Sequence, residues 1–326
     1  MNRSGEEDGA RRHVALIGGV IIAPTALLLL LRWTSIAHPL VIALVGLTPL
    51  LIVPILMTLF LLALSRDGRL GIVAVITLLG WMFTVTPWSG VIGCRADDGP
   101  PDVTVLTMNT LHGRADPLRV AELVDEHSPD VFLLQEATPD LVARLGADER
   151  LDDYWSRSDP TLTDGDGVAM WSRHEWRDLH RFETGGRSVP QAIIEAPQGE
   201  FTVTAVHSPT PTTASLAAQW KQHFVDLRNL QPDTRHLLIG DFNATKDHGA
   251  FRSLLGAGWT DVHDSKGCGF DATWPIGSGA PLPFAVYRLD HVLMNDGFDV
   301  LSIEIIDDTG GSDHKALVAH LRFTEP

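Results

Sequence analysis

The chain has 326 residues, 44% of them apolar, and carries 25 Lys and Arg against 41 Asp and Glu for a formal net charge of −16. That balance argues against tight, non-specific binding of duplex nucleic acid, whose affinity comes mostly from basic groups neutralising phosphates. The two cysteines and the spacing of the histidines leave no Cys-x2-Cys or His-x3-His pair for structural zinc.

Residues 1–13 precede three uncharged apolar stretches at 14–31, 40–64 and 70–88. A helix needs about 20 apolar residues to cross a hydrocarbon core, and each stretch is near or above that length. Pro24, Pro49 and Pro54 lie inside them, where a membrane span tolerates proline better than a soluble helix does. A cleaved signal peptide followed by buried core helices would account for the first stretch at best. Arg3, Arg11 and Arg12 precede the first stretch, and Arg66 and Arg69 lie between the second and third, whereas the first loop has Arg32 alone. The positive-inside bias therefore predicts a multi-pass cell-membrane protein with a cytoplasmic N-terminus and everything after Trp88 outside. The "RRHVAL" stretch is only weakly similar to a twin-arginine export signal.

Residues 89–101 read as a linker, and 102–326 as a separate domain of ordinary soluble composition. Its charge is lopsided: from Arg95 on, 19 basic residues face 37 acidic ones, a net of −18. An oxidising compartment would allow a Cys94–Cys268 disulfide; two unrelated thiols are the alternative.

Strand-like and helix-like segments alternate through this domain. "DVTVLTMN" ends in Asn109, "PDVFLLQE" in Glu136, "EFTVTAVHSP" reaches His207, and "HLLIGDFN" ends in Asp241 and Asn243. "YRLDHVLM" carries Asp290, and "GGSDHKALVAHL" opens with Asp313 and His314. Between them, "DPLRVAELVDEH" and "TPDLVARLGADE" each pair a capping residue with a proline at the first helical position. "ASLAAQWKQHFVDLRNL" aligns Leu216, Trp220, Phe224, Leu227 and Leu230 on one helical face, a core stripe. Strands interleaved with helices indicate a layered α/β domain with mixed sheets.

Glu136, Asp241, Asp290 and Asp313 are hard oxygen ligands, and Asn109 and Asn243 add amide oxygens. That inventory suits Mg²⁺ or Mn²⁺. His207 and His314 can carry protons near neutral pH. Together these groups match phosphoester hydrolysis, in which a cation polarises phosphoryl oxygens, a base orients water and donors stabilise the transition state. Asp247 reads as a loop or cap residue, and among the other histidines only His112 and His291 lie close enough in sequence to hold in reserve.

The motifs "TMNTLHG", "LLQE", "VHSP", "IGDFNAT", "TWP", "YRLDHV" and "GGSDH" occur in the order found in the endonuclease/exonuclease/phosphatase superfamily, which this domain resembles from about Val103 to Phe323. The resemblance implies a layered α/β sandwich of two mixed β-sheets flanked by helices. It implies Glu136 as the principal metal ligand, with Asn109 and Asp313 completing the shell. Asp241 would orient or deprotonate water, and Asn243 would bind the transferring phosphoryl group. His314, held by Asp290, and His207 would face the phosphate, with Trp274 and Arg288 contacting substrate. Where the family often has an acid two residues after the first Asn, this chain has Leu111, which favours a single cation. The family's nucleic-acid members carry basic loops, which are missing here. The expectation is therefore a membrane-anchored, extracytoplasmic, divalent-metal-dependent phosphodiesterase acting on a lipid headgroup or small phosphodiester. A deoxyribonuclease-type nuclease and a catalytically inactive binding module are the alternatives.

Overall fold

The computed structural model describes residues 3–65, 67–85, 96–158, 167–230, 234–268, 271–277, 280 and 283–324. The chain divides into two compact units, 1–88 with 246–249, and 89–245 with 250–326.

In the first unit, helices α1 (Arg3–Leu31), α2 (Pro39–Gly46), α3 (Ile52–Ser65) and α4 (Gly68–Val85) follow one another, with a 3-10 turn at Thr48–Leu51. The stretch at 40–64, expected as one span, is thus interrupted. Proline lacks the N–H and clashes with the carbonyl four residues back, so Pro49 cannot continue α2 and falls in the turn. Gly9–Leu31 and Thr48–Ser65 are long and apolar enough to cross a membrane, while Gly68–Thr84 is apolar but shorter. Residues 86–88 of the third predicted stretch lie outside the described residues. Ile22, Leu29, Leu51, Ile55, Leu62 and Ala74 pack together inside, yet Leu16, Val20, Leu27, Val53, Phe60 and Ile72 are exposed. A bundle apolar both inside and out has no polar face to offer water. Asp247, expected in a loop or cap, belongs to this unit and makes a buried ion pair with Arg32 at 2.7 Å.

The second unit contains two six-stranded mixed sheets. Strands β1 (Val103–Asn109), β2 (Val131–Gln135), β3 (Ser156–Ser158), β4 (Val168–Ser172), β5 (Trp176–Thr184), β6 (Arg187–Ala196), β7 (Gly199–His207), β8 (His236–Asp241), β9 (Thr260–Asp261), β10 (Asp290–Met294), β11 (Phe298–Ile306) and β12 (Ala316–Phe323) are joined in part by α5 (Pro117–His127), α6 (Pro139–Leu145), α7 (Ala214–Arg228), α8 (Gly249–Leu255) and α9 (Val262–Ser265). One sheet runs β11-β12-β1-β2-β4-β3, the other β5-β6-β7-β8-β10-β9. Val105, Leu133, Ile194, Val203, Ile239 and Val292 are among the apolar residues of the core between them. A second apolar layer places Val120, Val124, Leu141 and Leu145 of α5 and α6 against Leu106, Phe132 and Leu134 of the first sheet. Burial of both faces explains why these strands read as continuous apolar runs.

All six strand-like segments become strands, and the three helix candidates become α5, α6 and α7, with Asp116 and Thr138 accepting the first-turn N–H groups of Leu118 and Leu141. The β5–β6 hairpin was not anticipated: β5 is largely exposed and its residues "WRDLHRFET" show no clean alternation. Cys268 is buried and disulfide-bonded; Cys94 lies outside the described residues.

Candidate active site

The two central parallel pairs, β1–β2 and β7–β8, release their functional residues at their C-terminal ends. Asn109 is paired with Gln135, next to Glu136. In the other sheet His207 is paired with Asp241, and antiparallel β10 sets Asp290 opposite Asp241. The sequence needs a glycine just before Asp241. Gly240 has φ 142, and a Cβ there would run into the Val206 carbonyl of the neighbouring strand.

Asn109 joins the sheets. Its amide nitrogen donates to Glu136 Oε1 and Asp241 Oδ2, both at 3.1 Å, while its oxygen accepts the Leu111 N–H at 3.0 Å. Glu136 also accepts the His112 N–H at 2.9 Å, and the His112 ring stands 3.3 Å away. The reserve residue His112 is therefore at the site. Asp241 Oδ1 accepts the Asn243 N–H at 2.8 Å. The Asn243 amide is committed to the Ser208 carbonyl at 3.0 Å and Asp241 Oδ2 at 3.3 Å.

His314 places Nδ1 at 2.9 Å from Asp290 Oδ2 and Nε2 at 4.0 Å from Asp241 Oδ2. Its loop is tied down by Ser312, whose hydroxyl donates to the Asn109 carbonyl at 2.6 Å and accepts the His314 N–H at 3.1 Å. Burial pushes Asp241 up to about 7; the His314 charge opposes that and the Asp290 charge adds to it. Burial alone would lower His314, but Asp290 and Asp241 outweigh it and raise it to about 9. The two carboxylates thus favour the charged form of His314, while burial favours the neutral form of Asp241.

Asp313 receives the Trp274 indole N–H at 2.9 Å, so Trp274 stands at the site edge. Arg288 does not join it. Expected to contact substrate, it is buried with its guanidinium 3.0 Å from Asp261 and 3.0 Å from Asp264. A buried guanidinium is costly without carboxylate partners, and Asp261 comes from β9, which flanks β10 on the side opposite β8. Arg187 was missed: its Nη1 lies 3.3 Å from His207 Nδ1, and only the β6–β7 pairing joins residues twenty apart.

The donor set fits a hard divalent cation. Glu136, Asn109 and Asp313 offer oxygens, four carboxylates gather around two imidazoles, and buried Asp290 Oδ1 has no hydrogen-bond partner among the described residues. Asp241, Asp290 and His314 bring ligand atoms within 4.8 Å of one another.

Residues 106–314 match the Endonuclease/Exonuclease/phosphatase family. Comparison with curated proteins finds no match. Among solved structures, an endonuclease/exonuclease/phosphatase from Beutenbergia cavernae is similar at 21% identity and TM-score 0.54, covering 68% of this chain and 71% of that one. A humanized TDP2 from D. rerio is similar at 17% identity and TM-score 0.55, covering 68% and 98%. The 3′ phosphatase NExo from Neisseria, bound to a product DNA hairpin, is similar at 18% identity and TM-score 0.54, covering 68% and 100%. At these identities the structures report a shared fold.

Proposed function

Since the chain belongs to the Endonuclease/Exonuclease/phosphatase family, whose members hydrolyse phosphoesters, we propose that it is a membrane-anchored, extracytoplasmic, divalent-metal-dependent phosphodiesterase acting on a lipid headgroup or small phosphodiester. The observation that carries the chemistry is the arrangement around Asp241. This buried carboxylate is bonded to Asn109 across the two sheets and lies 4.0 Å from an imidazole held by Asp290.

Asp241 takes a proton from, or orients, the water that attacks phosphorus on the side opposite the leaving oxygen. His314, charged and fixed by Asp290, donates to a phosphoryl oxygen as negative charge grows there. A guanidinium only donates, so Arg187 makes His207 Nδ1 the acceptor and leaves Nε2 as the donor toward the phosphate. Asn243 releases one of its two present acceptors to reach a phosphoryl oxygen. Glu136, with Asn109 and Asp313, would hold Mg²⁺ or Mn²⁺, which supplies Lewis-acid polarisation of the phosphoryl group.

Anchoring rests on the apolar N-terminal helices and their exposed apolar residues, and sidedness on the arginine bias. The net of −18 from Arg95 onward favours a headgroup or small diester over long duplex DNA. A nuclease is the second reading, prompted by the DNA-bound Neisseria neighbour. The deciding experiment uses the full chain in detergent or nanodiscs with Mg²⁺ or Mn²⁺. Hydrolysis of bis(p-nitrophenyl) phosphate, lost in Asp241→Ala and His314→Ala, is expected. Parallel assays on sphingomyelin, phosphatidylinositol, inositol phosphates and plasmid DNA separate the substrates. A folded protein that cleaves no phosphoester refutes the enzyme reading, and an externally active reporter that stays silent after Pro326 refutes the sidedness.

A further inference from the structure

Asn243 has φ 46, in the left-handed region that asparagine tolerates better than most non-glycine residues. It opens the turn that leaves β8 beside Asp241. Two successive carbonyls of this turn are caught by buried side-chain donors from different elements. Trp220 of α7 donates its indole N–H to the Asn243 carbonyl at 3.0 Å. His291 of β10 places Nε2 at 2.9 Å from the Ala244 carbonyl and 3.1 Å from the Arg288 carbonyl. Trp220 is 3% exposed and His291 is 1% exposed, so water does not compete for either donor.

His291 is itself held. Its Nδ1 lies 2.8 Å from Asp261 Oδ2, which also accepts from Arg288 Nη2 at 3.0 Å. Asp261 Oδ1 accepts the His263 N–H at 3.0 Å, and Arg288 reaches Asp264 at 3.0 Å. The ring nitrogens of His291 are thus both engaged, and the buried Arg288 guanidinium is held between the Asp261 and Asp264 carboxylates, which is how such a charge remains buried.

We propose that Trp220 and His291 are positioning residues that clamp the Asn243–Ala244 turn and thereby aim Asp241 and Asn243 at the reacting phosphate, with Asp261 and Arg288 fixing the His291 ring. The link is short: Asp241 Oδ1 accepts the Asn243 N–H at 2.8 Å, so rotation of the turn drags the carboxylate with it. A small misaim is costly in rate because the attacking group must hold a near-attack position. The proposal rests on the assignment of Asp241 as the group that orients water.

The test uses the full-length protein in detergent, with Trp220→Phe, His291→Phe and His291→Gln. Trp220→Phe keeps a ring against Phe224, 5.0 Å away in the parent, and removes the donor. His291→Gln keeps an N–H near the position of Nε2, and His291→Phe keeps only the ring. Trp220→Phe and His291→Phe should each lower kcat about tenfold or more with little change in KM, and His291→Gln should recover much of the loss. In protein labelled with ¹⁵N-tryptophan, the Trp220 indole N–H should exchange slowly with solvent, and His291→Phe should speed that exchange. A folded Trp220→Phe protein with the parental kcat overturns the clamp. Indole exchange that His291→Phe leaves unchanged also overturns it. If the parent cleaves no phosphoester, the functional assignment falls and the exchange measurement alone decides the clamp.

Discussion

Asp290 and His291 are neighbours on β10 and serve two opposite regions of the domain. Successive strand residues point to opposite faces, so one strand sends a carboxylate to the site and an imidazole behind it. Each completes a histidine–aspartate pair of nearly the same length, His314–Asp290 at 2.9 Å and His291–Asp261 at 2.8 Å. The pairs differ in what the second ring nitrogen meets. His314 Nε2 looks at Asp241 from 4.0 Å, beyond a hydrogen bond, so it can still donate to a phosphoryl oxygen. His291 Nε2 is spent on backbone carbonyls at 2.9 and 3.1 Å. A histidine–aspartate pair therefore does not specify a task; the partner of the second nitrogen does.

The comparison breaks first, and hardest, at the histidines. His314→Ala should lower kcat by roughly 10²–10⁴. His291→Ala should cost less in kcat and more in stability, and equal profiles for the two would abolish the distinction. Next comes Arg288→Met, which leaves Asp261 and Asp264 short of a buried cation. A loss of about 3–5 kcal/mol is expected in denaturant unfolding, whereas Asp290→Asn should remove activity at a smaller cost in stability. Chelation by EDTA should abolish turnover and Mg²⁺ or Mn²⁺ restore it. At a hundredfold excess over the dissociation constant the cation should add about 2.7 kcal/mol of stability, an increment that Glu136→Gln should lose and Asp261→Asn should keep.

The smallest effect is on the pH profile. Asp241 is pushed up to about 7 by burial, so the fraction able to accept a proton grows as pH rises through that value. Burial would lower His314, but its two carboxylate neighbours raise it to about 9, so its donor is lost as pH rises through that value. A bell with its top between the two limbs follows for kcat/KM. Asp290→Asn should shift the alkaline limb of the residual activity down, and Asp261→Asn should leave that limb in place.

Much of this site was legible in the chain because its residues follow directly on apolar runs. Asn109, His207 and Asp241 each end a buried strand and Glu136 directly follows one, and a strand that ends in a polar group inside a fold has to place it somewhere specific. Arg288 was expected at the substrate from the family resemblance, whereas the acids that claim it, Asp261 and Asp264, are distant in sequence. Trp220 was read as core, and it is buried; its indole N–H bond to Asn243 could not be seen in a helical stripe. Arg187 carried no local signal.

The sequence by itself determined which segments are apolar, which become the central strands and the helices beside them, and which acids, amides and imidazoles lie at strand ends. Those are consequences of local periodicity, capping and side-chain chemistry. Tertiary structure alone decided the crossing of Asn109 to Asp241 and the separate fates of His314 and His291. Each of these depends on which groups meet across strands and sheets, and burial then charges a high free energy for any polar group left without a partner.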